Sequence, residues 1–210
     1  ISECVAKISR RYFPYNSPIL VQTASLGYCY KEKNIYLHDN VLLEMLHKEM
    51  HHQIISFGCL EDVGNDVVLE LKPSSAVIIL PSDLWNDQVI LSSLYLYRMY
   101  RIFKNLNMKV VIISNNLRTT KAFQDLIVKN MLNGIWFINH MEDIIVVIPE
   151  SGSNDKIFHS LNVYTWLPQN QKQCISEITE VTFLDRWMAS TNAFIKNTDL
   201  FLKKQLTNLH

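Results

Sequence analysis

The run SSAVIILPSD at residues 74–83 constrains the fold more than any other stretch. Five consecutive apolar residues, 76–80, end in Pro81, Ser82 and Asp83. A strand with one wet face alternates apolar and polar residues, and this run does not, so it reads as a strand buried on both faces. It is too short for a core helix and far too short for a membrane span. Pro81 stops the strand, and Ser82 or Asp83 then caps a helix beginning near Leu84. Strand, turn and helix together make the repeating unit of a parallel α/β sheet.

Other stretches extend the alternation. Residues 2–13 carry Val5, Ile8 and Tyr12 on one side and Lys7, Arg10 and Arg11 opposite, an amphipathic helix broken by Pro14 and Pro18. Strands are expected at 19–23, 53–57, 76–80, 108–113, 135–137 and 144–148, with a short one at 67–71. Helices are expected at 40–50, 84–106 and 119–132. Residues 157–167 alternate as an edge strand would, and 178–194 read as a strand then a helix, or as one helix. Strands alternating with helices predict an α/β fold with a mostly parallel sheet, whose ligand crevice lies outside the carboxyl ends of the strands.

Composition narrows the function. With 210 residues, the chain suffices for one good-sized domain, or one domain with a terminal extension. A formal net charge of zero gives no nucleic-acid footprint. The five glycines form no phosphate-cradling loop. Every long apolar stretch is broken by charge, so no transmembrane helix is expected. No Asn-x-Ser/Thr acceptor exists. The four cysteines, Cys4, Cys29, Cys59 and Cys174, are compatible with two disulfides in any of three connectivities or with four free thiols.

Reactive chemistry is sparse. His47 and His51 are spaced i, i+4, with Glu44, Glu49 and His52 nearby, but Lys48 stands where a zinc-protease helix needs Glu. No third ligand is nominated, so a solvated helix end is the plainer reading, and no metal or cofactor is expected. No nucleophile elbow exists, so no catalytic residue is assigned. An enzyme remains the third choice behind two binding roles. The strand ends are more informative: Ser25, Ser56, Ser82, Asp83 and Asn115 follow four expected parallel strands and converge on one rim. Ser, Asp and Asn are also the residues helix caps require, so capping competes with ligand contact at each position. Tyr95, Tyr97, Met99, Tyr100 and Phe103 cover most of a helix circumference, as in a core helix or one that also meets a partner.

The last quarter carries the most specific pattern: Thr165-Trp166-Leu167-Pro168, Cys174, Leu184-Asp185-Arg186-Trp187, Phe194, Leu200-Phe201 and Lys203. It resembles the segment ahead of the glutamate-receptor-like binding core in divergent insect ionotropic receptors. An N-terminal helix with a Tyr12-Phe13 pair, followed by a strand ending in Thr23, is similar in layout. Leu202, where the family pattern has proline, and the missing glycosylation acceptor depart from it.

The resemblance implies an extracellular N-terminal domain of a chemosensory ligand-gated cation channel, at the outer face of the plasma membrane. The gating core and pore would follow downstream. It implies a single periplasmic-binding-protein-like, Rossmann-like lobe over 1–168 and a C-terminal extension over 169–210. It tips the cysteines toward oxidation, with Cys29–Cys59 the expected pair and Cys4–Cys174 the remaining one. A loop closed by the first would contribute roughly 3–4 kcal/mol. The expected partners are other receptor subunits, in a hetero-oligomer with co-receptors, and a small chemosensory ligand; nucleic acid is not among them. Two non-catalytic roles follow. Either the rim binds that ligand, or the domain is an assembly or spacer element that meets its partners through Tyr97, Tyr100, Trp166 or Trp187.

Overall fold

The computed structural model describes residues 1–22, 43–44, 47–48, 53–56, 73–80, 96, 107–114, 120–139, 141–150, 159–167 and 178–201. Helix α1 (Ser2–Tyr12) leads into β1 (Ile19–Gln22), followed by β2 (Ile54–Ser56), β3 (Ser75–Leu80) and β4 (Lys109–Ser114). Helix α2 (Lys121–Asn139) precedes β5 (Ile144–Pro149), β6 (Ser160–Thr165), β7 (Thr182–Met188) and β8 (Ala193–Phe194). The eight strands among the described residues form one sheet in the order β2-β1-β3-β4-β5-β6-β7-β8. The first five are parallel, and β6, β7 and β8 are antiparallel additions. The molecule is an α/β, Rossmann-like lobe with a mostly parallel sheet.

The change of direction at β6 has a simple cause. A parallel partner needs a crossover of a dozen or more residues, usually a helix, and residues 150–159 are too few. The chain therefore returns antiparallel, pairing Val147 with Val163 and Pro149 with Leu161.

Every residue of β3 and β5 is buried, as are all of β4 except the half-buried Lys109. Side chains on successive positions point to opposite faces, so each face needs its own cover. Leu20, Ile78, Leu80, Ile112, Val146 and Ile148 meet Val128, Met131, Leu132 and Ile135 of α2 on one face. Val21, Val77, Ile79, Val111, Ile113 and Val147 meet Cys4, Val5 and Ile8 of α1 on the other. Each such side chain contributes about 1.5–3 kcal/mol when fully buried. Leu96, within the helix expected at 84–106, is helical and buried in the α2-side core.

Three expectations are corrected. Residues 135–137 are not a strand: α2 runs to Asn139, because Val128, Met131, Leu132 and Ile135 continue one helical stripe into the core. Strand β6 is not an edge: it lies between β5 and β7 and all six of its residues are buried. Residues 178–194 contain no helix; they form β7 and β8 around a turn at 189–192. The strand expected at 67–71, and the helices at 40–50 and 84–106 beyond Leu43, Glu44, His47, Lys48 and Leu96, lie outside the described residues.

The C-terminal segment does not stand apart from the lobe. Strands β7 and β8 extend the sheet, and residues 195–201 run back along α1. A register shift at β7 lets Leu184 and Trp187 join the α1-side core, while Arg186 reaches Asn162 on the α2 side. Asp185, fully buried, accepts backbone N–H bonds from Arg186 (2.7 Å), Lys196 (2.9 Å) and Thr198 (3.0 Å). Asn192 and Asn197 turn the chain at φ 47° and 54°, a region Asn tolerates better than most residues. The Tyr12 hydroxyl donates to the Thr198 carbonyl and accepts from the Leu200 N–H, each at 3.1 Å. Phe201 packs edge-on against Tyr12 with ring centres 5.4 Å apart.

A buried carboxylate with three N–H donors leaves those donors stranded when removed. Asp185→Ala should cost about 3 kcal/mol, since hydrogen bonds to a charged group are each worth about 1.5–3 kcal/mol and the loop relaxes in part. Urea unfolding measures it, and a loss under about 1 kcal/mol would contradict this role for Asp185.

Candidate binding rim

In the parallel part of the sheet, order β2-β1-β3-β4-β5, successive connections leave β1 in opposite directions. The sheet thus has its topological switch point between β1 and β3, where α/β folds bind ligands outside the carboxyl ends of the strands. Strand β1 ends at Gln22 and β4 at Ser114, each 1% exposed. Register places Gln22 beside Ile78 and Ser114 beside Leu80. Both polar side chains are in phase with Leu20, Ile78, Leu80 and Ile112, hence on the α2 face. Two ladder steps, about 10 Å, separate the strands that carry them.

Of the rim residues expected from the sequence, Ser56 ends β2 and pairs with Val21. Ser25, Ser82, Asp83 and Asn115 lie outside the described residues, but the strands they follow, β1, β3 and β4, are adjacent and parallel. Ser114 opens the Ser114-Asn115-Asn116 tip at which the strand expected at 108–113 meets the rim; Gln22 belongs to the same rim and was not singled out. A polar residue closing an apolar strand was the available signal.

A second polar group occupies this rim at β5–β7. Glu150 follows β5 and accepts from Arg186 Nη1 at 2.8 Å and from the Ser160 hydroxyl. Arg186 Nε donates to Asn162 Oδ1 at 3.0 Å. Tyr164, next along the same face, is hydrogen-bonded to Asn162 and to Asp125 in the second turn of α2. Burial, followed by the Asp125 charge, pushes the Tyr164 phenol up to about 12. Gln124 Nε2 donates to the Pro149 carbonyl at 2.8 Å and anchors the start of α2 over β5. With Nε and Nη1 of Arg186 engaged, this network ties β5, β6 and β7 together.

The other candidates fall in the core or outside the described residues. Trp166 and Trp187 are 2% and 3% exposed, on opposite faces of the sheet, and Trp166 packs 5.0 Å from Trp136 of α2. These two of the four aromatic anchors expected at an interface are core residues. Tyr97 and Tyr100 lie outside the described residues. Cys4 is a free, fully buried thiol, pushed up to about 12 by burial; Cys174, its expected partner, and the Cys29–Cys59 pair lie outside the described residues. His47 is exposed, and His51, His52 and Glu49 are not described. Among the described residues no three His, Cys, Asp or Glu side chains gather as a metal site, and no helix is long and apolar enough to cross a membrane.

No protein-family profile, curated protein or solved structure matches this chain.

Cys4 and Tyr164 give the fold a common pH signature. Both are acids whose folded value lies above the unfolded one, 9.0 to about 12 for Cys4 and 10.0 to about 12 for Tyr164. The folded state therefore holds their protons more tightly. Their contribution is complete below pH 9 and is lost as pH rises to about 12. Urea unfolding across that range should show falling stability, with a shallower fall in Cys4→Ala and in Tyr164→Phe. Slopes identical to the parent in both variants would contradict the assignment.

Proposed function

We propose that this chain is a non-catalytic binding module: the ligand-sensing lobe of a chemosensory ligand-gated cation channel subunit, acting at the extracellular face of the plasma membrane with other receptor subunits. The observation that carries the reading is the strand order. Ser25, Ser56, Ser82, Asp83 and Asn115 follow the four neighbouring parallel strands around the switch point, with Gln22 and Ser114 at the same strand ends. Small hydroxyl, amide and carboxylate groups at such a rim suit a polar ligand of modest size. The C-terminal resemblance supplies the receptor context.

One observation favours a second reading, an assembly or spacer domain of the same receptor with no small-molecule ligand. The residues that carry the resemblance pack the lobe itself: Trp166 and Trp187 in the two cores, Asp185 on the returning loop, Leu200 and Phe201 against α1. They specify the fold and not a ligand, and one sheet provides one wall of a crevice.

A thermal-shift screen with amines, carboxylic acids, amino acids and sugars separates the two. A ligand at a hundred times its dissociation constant adds about 2.7 kcal/mol, a shift of a few degrees for a chain of this size. The sensing role predicts a saturable shift that disappears in Asp83→Ala and in Gln22→Ala. A flat screen on cooperatively folding protein would overturn it in favour of assembly.

A further inference from the structure

Two neighbouring residues in α2 are poor choices for the middle of a helix. Asn133 and Gly134, both half-buried, lie well inside Lys121–Asn139, and asparagine and glycine rank low among helix formers. They also make the single Asn-Gly step of the chain, since each of the other four glycines follows a residue other than asparagine. The fold accounts for Asn133. Its amide pairs with the backbone of Ile178: Nδ2 donates to the carbonyl at 3.0 Å, and Oδ1 accepts from the N–H at 2.5 Å. Ile178 precedes β7 outside the strand ladder, yet it is 3% exposed, with its side chain in the α2-side core. A buried backbone N–H and C=O both need partners, and one amide side chain supplies an acceptor and a donor together. Asn133 is therefore a latch between α2 and the chain entering β7.

An asparagine followed by glycine can lose its amide with water as the only co-reactant. The main-chain nitrogen of Gly134 attacks Cγ of Asn133: that C–N bond forms, the Cγ–Nδ2 bond breaks, and the nitrogen's proton departs with ammonia. Water then opens the five-membered imide at either carbonyl, leaving aspartate or its β-linked isomer. Glycine permits the closure because it has no Cβ to crowd the ring and accepts the backbone angles the ring imposes. The intact helix opposes it. Within α2 the Gly134 N–H is committed to the carbonyl four residues back, that of Asn130, and the amide it would attack is held by Ile178.

We infer that Asn133 is a deamidation site gated by the opening of α2, and that its conversion releases the latch on Ile178. Aspartate places a carboxylate oxygen where Nδ2 had donated, so two acceptors face each other and the Ile178 carbonyl loses its donor. The β-linked isomer adds a methylene to the backbone and cannot continue the helix. Conversion runs one way, so openings of α2 are recorded as a permanent loosening at the entry to β7. The inference holds whichever role the lobe performs.

The test incubates the whole chain at neutral pH, folded or unfolded in urea, and follows residue 133 by mass spectrometry of its peptide. Conversion is expected in the unfolded chain and should be about tenfold slower or more in the folded protein, where only the opened fraction reacts. Gly134→Ala should suppress conversion in the unfolded chain. Asn133→Asp, which installs one product directly, should lower the urea midpoint and speed hydrogen exchange at the Ile178 amide relative to the amides of β5. Should that variant fail to fold, parent protein aged to partial conversion supplies the same comparison, with faster exchange at Ile178 in the converted molecules. No conversion in the unfolded chain, equal rates in the folded and unfolded chains, or Ile178 protection unchanged after conversion would each overturn the inference.

Discussion

The structure depends on a sheet that has no wet face. Strands β3, β4 and β5 are apolar on both sides, so exposing either side would leave a row of Val, Ile and Leu in water. Helix α2 answers this on one face. On the other, among the described residues, α1 is joined by the C-terminal segment through Leu184, Trp187, Leu200 and Phe201. The ends of the chain are therefore interdependent: Tyr12 of the first helix and Asp185 of the seventh strand hold the same returning stretch, 195–201.

Where one physical cause determined an element, that element was legible in the sequence. Buried parallel strands announce themselves as unbroken apolar runs, so β1, β3, β4 and β5 stood out, and α1 showed its stripe and its closing Pro14. Elements with two competing causes were misread. The apolar run at 135–137 looks like a strand, but it is the core-facing end of α2. Alternation in β6 normally marks a solvent face. Here Ser160, Asn162 and Tyr164 are buried polar groups whose partners, Glu150, Arg186 and Asp125, come from other elements. Strand β7 breaks its period of two at the register shift near Asp185, which left a strand-then-helix and a single-helix reading both open and hid the turn after β7.

The site was legible to a lesser degree, for a related reason. Strand ends can be found from local sequence, so the rim was placed at the carboxyl ends of the parallel strands before the strand order was known. Its inventory was incomplete because Gln22 gains meaning only once β1 is known to lie beside β3 at the switch point. The tryptophans erred the other way. Large aromatics suit interfaces and cores alike, and in a lobe whose sheet needs covering on both faces the core took Trp166 and Trp187.

The central claim is that the C-terminal segment is part of the cooperative core and not an appendage to it. Native-state hydrogen exchange at the amides of Lys196, Thr198 and Leu200 tests this most directly, because their N–H groups are held by Asp185 and Tyr12. The account predicts that they exchange with the same opening free energy as the amides of β6 and β7. Exchange at nearly unprotected rates, while the sheet stays protected, would contradict it.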